Sequence, residues 1–271
     1  MLRRRDFLPL AAAGLAACGT PASPTSRRRR PAAPAPAPEL APVAIRPSDE
    51  RGYADHGWLQ ARHSFSFARY RDPRFMGYRG LRVLNEDRIA PEQGFPLHPH
   101  RDMEIVTYLL EGALEHRDTL GSGGVIRPGR AQRMSAGSGI RHSEFAKSEL
   151  THLLQIWIRP SERGIRPSYE DQPLPRADMR GQLLPIAGPP GSPGAVTIHT
   201  DARIHVARLG PGHRVEHVVA PGRGAWVQLA RGRVRLNGQR LLAGDGAFTT
   251  APGRLAFDEA DEAELLLFDL A

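Results

Sequence analysis

Apolar positions along the chain recur in short runs broken by turn residues, a pattern of many short strands rather than long amphipathic helices. Strand-like segments run from His63 to Phe67, Leu81 to Asn85, Glu104 to Leu110 and His152 to Ile158, with Gly112 and the Gly121-Ser122-Gly123-Gly124 cluster as hairpin punctuation. Eight prolines between Pro160 and Pro193 then mark a linker with some extended pairing. Strands resume at Val196 to His199, Ile204 to Leu209, Ala225 to Leu229, Val234 to Leu236 and Leu265 to Phe268, with Asn237-Gly238 as a tight hairpin turn. The pattern predicts an all-β protein with two small barrels in tandem. The expected division is an N-terminal extension to residue 44, a first barrel over 45–165, a linker over 166–195 and a second barrel over 196–271.

The extension reads as an address. Arg4-Arg5-Asp6-Phe7-Leu8 resembles a twin-arginine export signal, and the apolar run from Leu8 to Ala17 is too short to span a bilayer. Leu15-Ala16-Ala17-Cys18 resembles a bacterial lipobox, so Cys18, the only cysteine, is expected to carry lipid and anchor an exported protein in a membrane. Residues 1–18 are then a signal peptide, and the Pro, Ala and Arg-rich residues 19–44 an extended tether. The expected location is periplasmic or membrane-anchored; if translation starts downstream of this stretch, the protein stays in the cytoplasm.

Charge changes little. The first 30 residues hold +6 of the formal +8, leaving the remainder close to neutral at +2, and Lys147 is the only lysine. A body so mixed in sign has no basic stripe for phosphates, so no nucleic-acid partner is expected.

The candidate chemistry lies in Gly94-Phe95-Pro96-Leu97-His98-Pro99-His100-Arg101-Asp102-Met103-Glu104 and in Gly139-Ile140-Arg141-His142-Ser143-Glu144. Residues two apart on a strand share a face, about 6.6 Å apart along the chain, so His98 and His100 can converge on one ion at about 2.0 to 2.2 Å. The same period applies to His142 and Glu144. Three imidazoles and a carboxylate suit a divalent first-row metal and, with six-fold coordination, leave two positions open. Iron(II) is the first choice; zinc, manganese, copper, nickel and cobalt also fit.

These motifs, together with Ala54-Asp55-His56-Gly57-Trp58, Arg62-His63-Ser64-Phe65-Ser66-Phe67 and Met134-Ser135-Ala136-Gly137, resemble the pirin family of the cupin superfamily from about Ser48 to Ala271. The resemblance implies two jelly-roll cupin barrels and one divalent ion per chain, held by His98, His100, His142 and Glu144, with the C-terminal barrel metal-free. At Glu104, where many cupins place a metal-binding glutamate, the ligand role passes to Glu144, and Glu104 is expected to support a ligand from behind. His56, His63, His116 and His152 read as hydrogen-bonded structural histidines. The implied activity is that of a quercetin 2,3-dioxygenase, a monomer acting on a flavonol-like aromatic substrate and dioxygen, with Glu144 also taking the proton of the 3-hydroxyl. The family also implies an alternative, a metal-binding, redox-sensing regulatory or interaction protein without turnover.

Overall fold

The computed structural model describes residues 38–175 and 179–271. The export signal, Cys18 and the tether up to residue 37 lie outside the described residues. Helical structure among the described residues is confined to the 3-10 turn Ser48–Glu50; everything else regular is strand.

The N-terminal half packs two sheets face to face. One has seven strands, in the order Ser168–Pro173, Arg130–Ser135, Glu104–Glu111, Thr151–Ile158, Leu81–Ile89, Leu59–His63 and Gly52–Asp55; the other has four, in the order Gly94–His100, Ile140–Ala146, Leu114–Asp118 and Gly123–Ile126. The C-terminal half is one nine-stranded sheet built on two long strands, Gly224–Leu236 and Gly253–Leu270. Gly253–Leu270 pairs with Val215–Val219 through its first residues and with Ala202–Leu209 through its last, so one strand serves two walls. Leu255 and Phe257 from its beginning meet Leu265 and Leu267 from its end in one sealed interior. Ala225 to Leu229 and Val234 to Leu236, separate in the apolar pattern, are parts of one strand whose register shifts three times between Leu229 and Arg235.

Burial explains why the central strands read as largely apolar runs. Glu104–Glu111 and Thr151–Ile158 are buried on both faces, because one face closes its own barrel and the other meets the second barrel. Val106, Tyr108 and Ile156 there join Ile204, Trp226, Leu266 and Phe268 in a shared core. The four-stranded sheet has one face in solvent, and Ile140–Ala146 alternates accordingly: Ile140, His142, Glu144 and Ala146 are buried, Arg141 and Phe145 exposed.

The structure refines the sequence pattern at three places. The segment expected as a linker contributes Ser168–Pro173 to the first sheet and Leu184–Gly188 to the last. Ser168–Pro173 is an edge strand, where a proline forfeits no ladder bond. Ala44–Arg46 crosses over to pair with Gly246–Thr249 in the C-terminal sheet. The strand expected at His63 to Phe67 ends at His63, since Phe67 turns back to exchange backbone bonds with Tyr70.

Candidate metal centre

Strand Ile140–Ala146 lies between Gly94–His100 and Leu114–Asp118, and the register brings their chemistry to one face. His142 is directly opposite His98 on one side and Asp118 on the other; Ile140 faces His100, and Glu144 faces His116. Pro96 and Pro99 are tolerated because Gly94–His100 is an edge strand. A bulge between His142 and Glu144 takes up one residue there. Gly94 permits the close approach: a Cβ at that position would fall 2.1 Å from the Glu144 carbonyl oxygen.

The rings of His98, His100 and His142 form a triangle with centroids 4.5, 4.8 and 4.9 Å apart. One nitrogen from each lies within 4.8 Å of the others, close enough to share a cation. Glu144 joins His142 in a second group, with His116 as its third member, so His142 is common to both. The hydrogen bonds set the tautomers. His98 Nδ1 is 2.8 Å from the Pro96 carbonyl, an acceptor only, so Nδ1 carries the proton and Nε2 keeps its lone pair. His142 Nε2 is buried without a partner, a vacancy natural for a ligand atom and unexpected in a purely structural histidine. Burial, reinforced by neighbouring histidines, pushes His142 down to about 2 and His100 down to about 4. Both are neutral at pH 7 and able to donate lone pairs, so the residues present fit a divalent metal.

Glu144 is buried, which raises its carboxyl to about 7 against the opposing hydrogen bonds of Gln155 and Thr107. Gln155 Nε2 donates to Glu144 Oε2 at 2.8 Å, while the Thr107 hydroxyl, with one proton, favours Gln155 Oε1 at 3.0 Å over Glu144 Oε1 at 3.5 Å. Asp87 is pushed up to about 8 by burial and by the charges of Glu144 and Glu86, and its Oδ1 has no partner. Such a pair of carboxyls favours a nearby cation.

The cavity in front of this cluster has a volume of about 180 Å³, with Phe67, Phe95, Ile105 and Trp157 as apolar walls and His63, Asn85, Asp87 and Gln155 as polar ones. His63, Asn85 and Gln155 on its floor belong to a row of polar residues set side by side across the long sheet. His63 is opposite Asn85, Asn85 opposite Gln155, Gln155 opposite Thr107, and Thr107 opposite Gln132. Spacing along the sequence does not single out Gln155, Thr107, Asn85 or Asp87. The available signal is an isolated polar residue within an otherwise apolar strand, as in Leu153-Leu154-Gln155-Ile156-Trp157-Ile158.

Glu104 requires correction. It is fully buried but lies on the face shared with Val106 and Tyr108, toward the second barrel, where it accepts a hydrogen bond from Ser135 Oγ at 2.7 Å and lies 3.3 Å from His199 Nδ1. Strand parity therefore turns it away from the cavity, and its place beside the ligands is taken by Thr107 and Gln155. His63, His116 and His152 are hydrogen-bonded, to Asn85, Asp118 and Glu86 respectively.

The pirin family pattern matches residues 44–158, and that of the quercetinase C-terminal cupin domain matches 185–270. A protein named quercetin 2,3-dioxygenase from Escherichia coli K12 is 42% identical over 231 residues, 84% of this chain and 98% of that protein. The chain belongs to the pirin family. A pirin-like protein of Caulobacter vibrioides is 44% identical over 228 residues, 83% of this pirin and 98% of its relative. The crystal structure of the bacterial pirin YhhW of Escherichia coli in complex with nickel(II) matches this pirin with a TM-score of 0.80 at 41% identity, over 84% of this chain and 98% of that one. The two-barrel cupin architecture and a His/Glu cluster suited to a divalent metal are thus common ground between sequence and structure.

Proposed function

We propose that this pirin is a metal-dependent dioxygenase of flavonols such as quercetin, with His98, His100, His142 and Glu144 as the ligands of one ion, iron(II) in the native protein. The observation that carries the reading is the convergence of the three imidazoles of His98, His100 and His142 on a cavity walled by aromatic side chains. The name of the Escherichia coli relative supports the substrate class, and the nickel(II) complex of YhhW supports a divalent ion. When bound, the ion supplies a Lewis acid to the substrate hydroxyl and a redox partner to dioxygen.

The chain does the rest. Phe67, Phe95 and Trp157 flank a planar ring system and exclude water, His63 and Asn85 offer hydrogen bonds to its peripheral hydroxyls, and Glu144 accepts the 3-hydroxyl proton.

Anaerobic purification with metal analysis, followed by oxygen uptake on a panel of flavonols and catechols, tests the proposal. Uptake proportional to bound iron is expected; uptake unaffected by stripping the metal would discard it, and no uptake on any member would favour the regulatory alternative. His142→Ala removes a ligand and lowers occupancy strongly, whereas Glu144→Gln keeps size and one oxygen. In Glu144→Gln, turnover is expected to fall further than occupancy, and full activity per bound metal would remove the carboxylate from the proton transfer.

One ion per chain is the expected stoichiometry. In the C-terminal barrel, His217 Nε2 is 2.9 Å from Asp269 Oδ2, and Arg223 binds the other oxygen of that carboxylate, so an internal cation already neutralises it. A ratio near two in metal analysis would sink this. Export and lipidation at Cys18 remain part of the proposal, supported by Arg4-Arg5 and the lipobox-like Leu15 to Cys18. Cys18→Ser is expected to release the protein from the membrane fraction; a soluble cytoplasmic wild type retaining residues 1–18 would contradict it.

A further inference from the structure

Leu114–Asp118 flanks the ligand strand on the side away from His98 and His100, and its two polar inward residues are sealed from solvent. His116 is 0% exposed, and the Asp118 side chain is equally buried. His116 Nε2 lies 3.2 Å from Asp118 Oδ2 and its Nδ1 lies 3.3 Å from His142 Nδ1. Asp118 Oδ1 accepts the amides of Leu120 at 2.9 Å and Ser122 at 3.0 Å, so the hairpin turn fixes the carboxylate. The His116 ring stacks on Tyr169, with centroids 4.9 Å apart and 27° between planes, and the Tyr169 hydroxyl donates to Gln132 Oε1.

The proton positions follow from these partners. A carboxylate only accepts, so His116 carries its proton on Nε2. Its Nδ1 is then a lone pair, and the proton in the His116–His142 contact belongs to His142 Nδ1. His142 Nε2 is left bare, matching its buried and unpartnered state. Both nitrogens of His116 are engaged, which makes it a support for a ligand and not a ligand itself.

We propose that His116 and Asp118 are positioning residues, a buried relay that holds His142 in the tautomer and ring orientation presenting Nε2 to the metal. The inference rests on the reading of His142 as a ligand. It gives the turn around Gly121 a task in the site: the amides that fix Asp118 fix, through two imidazoles, the direction of a lone pair.

Asp118→Asn is the decisive variant because it nearly preserves shape. Its carbonyl oxygen can still accept the turn amides, while its NH₂ would donate to His116 Nε2 and reverse the order of protons, ending with the proton on His142 Nε2. Nitrogen-15 NMR of the metal-free protein should show His142 protonated on Nδ1 in the wild type and on Nε2 in Asp118→Asn. Nickel(II) affinity, by calorimetry, should fall about 10- to 100-fold in Asp118→Asn and His116→Ala. His116→Asn, which keeps an acceptor near the Nδ1 position, should recover most of the loss. His142→Ala, as reference, should not bind.

Folded Asp118→Asn and His116→Ala proteins with wild-type nickel affinity, beside a non-binding His142→Ala, would overturn the relay and leave the ligand reading intact. His142→Ala at wild-type affinity would overturn the ligand reading and the relay together. A zinc(II)-loaded spectrum with a coordination shift on a His116 nitrogen would make His116 a ligand and end its positioning role.

Discussion

Inside the C-terminal barrel Val215, Val227, Leu229, Leu255, Phe257, Leu265 and Leu267 pack against one another, whereas the N-terminal barrel lays His63, Asn85, Gln155 and Thr107 across its long sheet, facing His142 and Glu144. A buried polar group destabilises a fold unless it is hydrogen-bonded. The N-terminal barrel meets most of that demand by pairing neighbours, as with His63 and Asn85 or Gln155 and Glu144. It leaves lone pairs at the cavity, on His142 Nε2 and Asp87 Oδ1. In the C-terminal barrel the Asp269 carboxyl is instead matched by Arg223 and His217. Their hydrogen bonds outweigh its burial and hold it below the usual carboxylate range. The contrast is one of grouping: the N-terminal barrel gathers the open lone pairs of His142 and Asp87 at one cavity, whereas the C-terminal interior is dominated by apolar packing with its Asp269 carboxyl already paired.

The largest expected effect tests the stability side. Phe257 is 1% exposed within the C-terminal core, and Phe257→Ala should lower unfolding free energy by about 3–5 kcal/mol. Metal binding per folded molecule should be unchanged. Urea unfolding with parallel nickel(II) titration checks both, and a loss under about 1 kcal/mol, or a proportionate loss of metal affinity, would break the separation of roles.

The second effect is a gain, and it depends on pH. In the metal-free protein Asp87 is pushed up to about 8 from an ordinary 3.8. Below pH 4 it is protonated in both folded and unfolded chains and contributes no difference. Between about pH 4 and 8 the unfolded chain releases the proton while the folded protein retains it, so stability falls as pH rises. Asp87→Asn has no proton to lose and should be more stable than wild type, by about 2 kcal/mol near pH 7.5 and by almost nothing at pH 4. Thermal melts across that range read the difference, and a gain independent of pH would rule out the buried carboxyl as its source. Bound metal should shrink the gain, because a cation beside Asp87 stabilises its ionised form.

Much of this contrast is legible in the sequence. The two His and Glu pairs at strand spacing, His98 with His100 and His142 with Glu144, are visible because both the ligand chemistry and the period of two are local. The all-β class and the two tandem barrels follow from short apolar runs and turn residues. What lies beyond reach is set by pairing between distant strands. Gln155 becomes a partner of Glu144 only when Thr151–Ile158 lies against Glu104–Glu111 with Gln155 opposite Thr107. Glu104 illustrates the converse: its position in the motif draws it toward the metal, but the parity of its strand sends it to Ser135 and His199. The crossover of Ala44–Arg46 has no local signal either, since three residues carry no statement of which barrel completes them.

The smallest effect compares two buried glutamines. Gln155 donates to Glu144 at 2.8 Å, while Gln228, in the C-terminal sheet, donates to the Gly244 carbonyl at 2.9 Å. Replacing either with leucine removes that donated bond, worth about 1 kcal/mol, together with the bond the glutamine accepts from Thr107 or Ser64, and leaves an acceptor bare. For Gln228→Leu the loss should appear only in stability. For Gln155→Leu it should also reach the metal, because the lost donor had stabilised ionised Glu144, whose carboxyl already sits at about 7. Without that donor the carboxyl moves further up, and a larger fraction is protonated and unavailable as a ligand at pH 7. Nickel(II) affinity at pH 7 should fall by roughly threefold in Gln155→Leu, and the deficit should close near pH 9, where Glu144 ionises with or without its partner. Equal affinity of Gln155→Leu and wild type at pH 7, or a deficit that persists unchanged at pH 9, would show that the glutamine does not act through the ionisation of Glu144, and would remove it from the features that separate the two barrels.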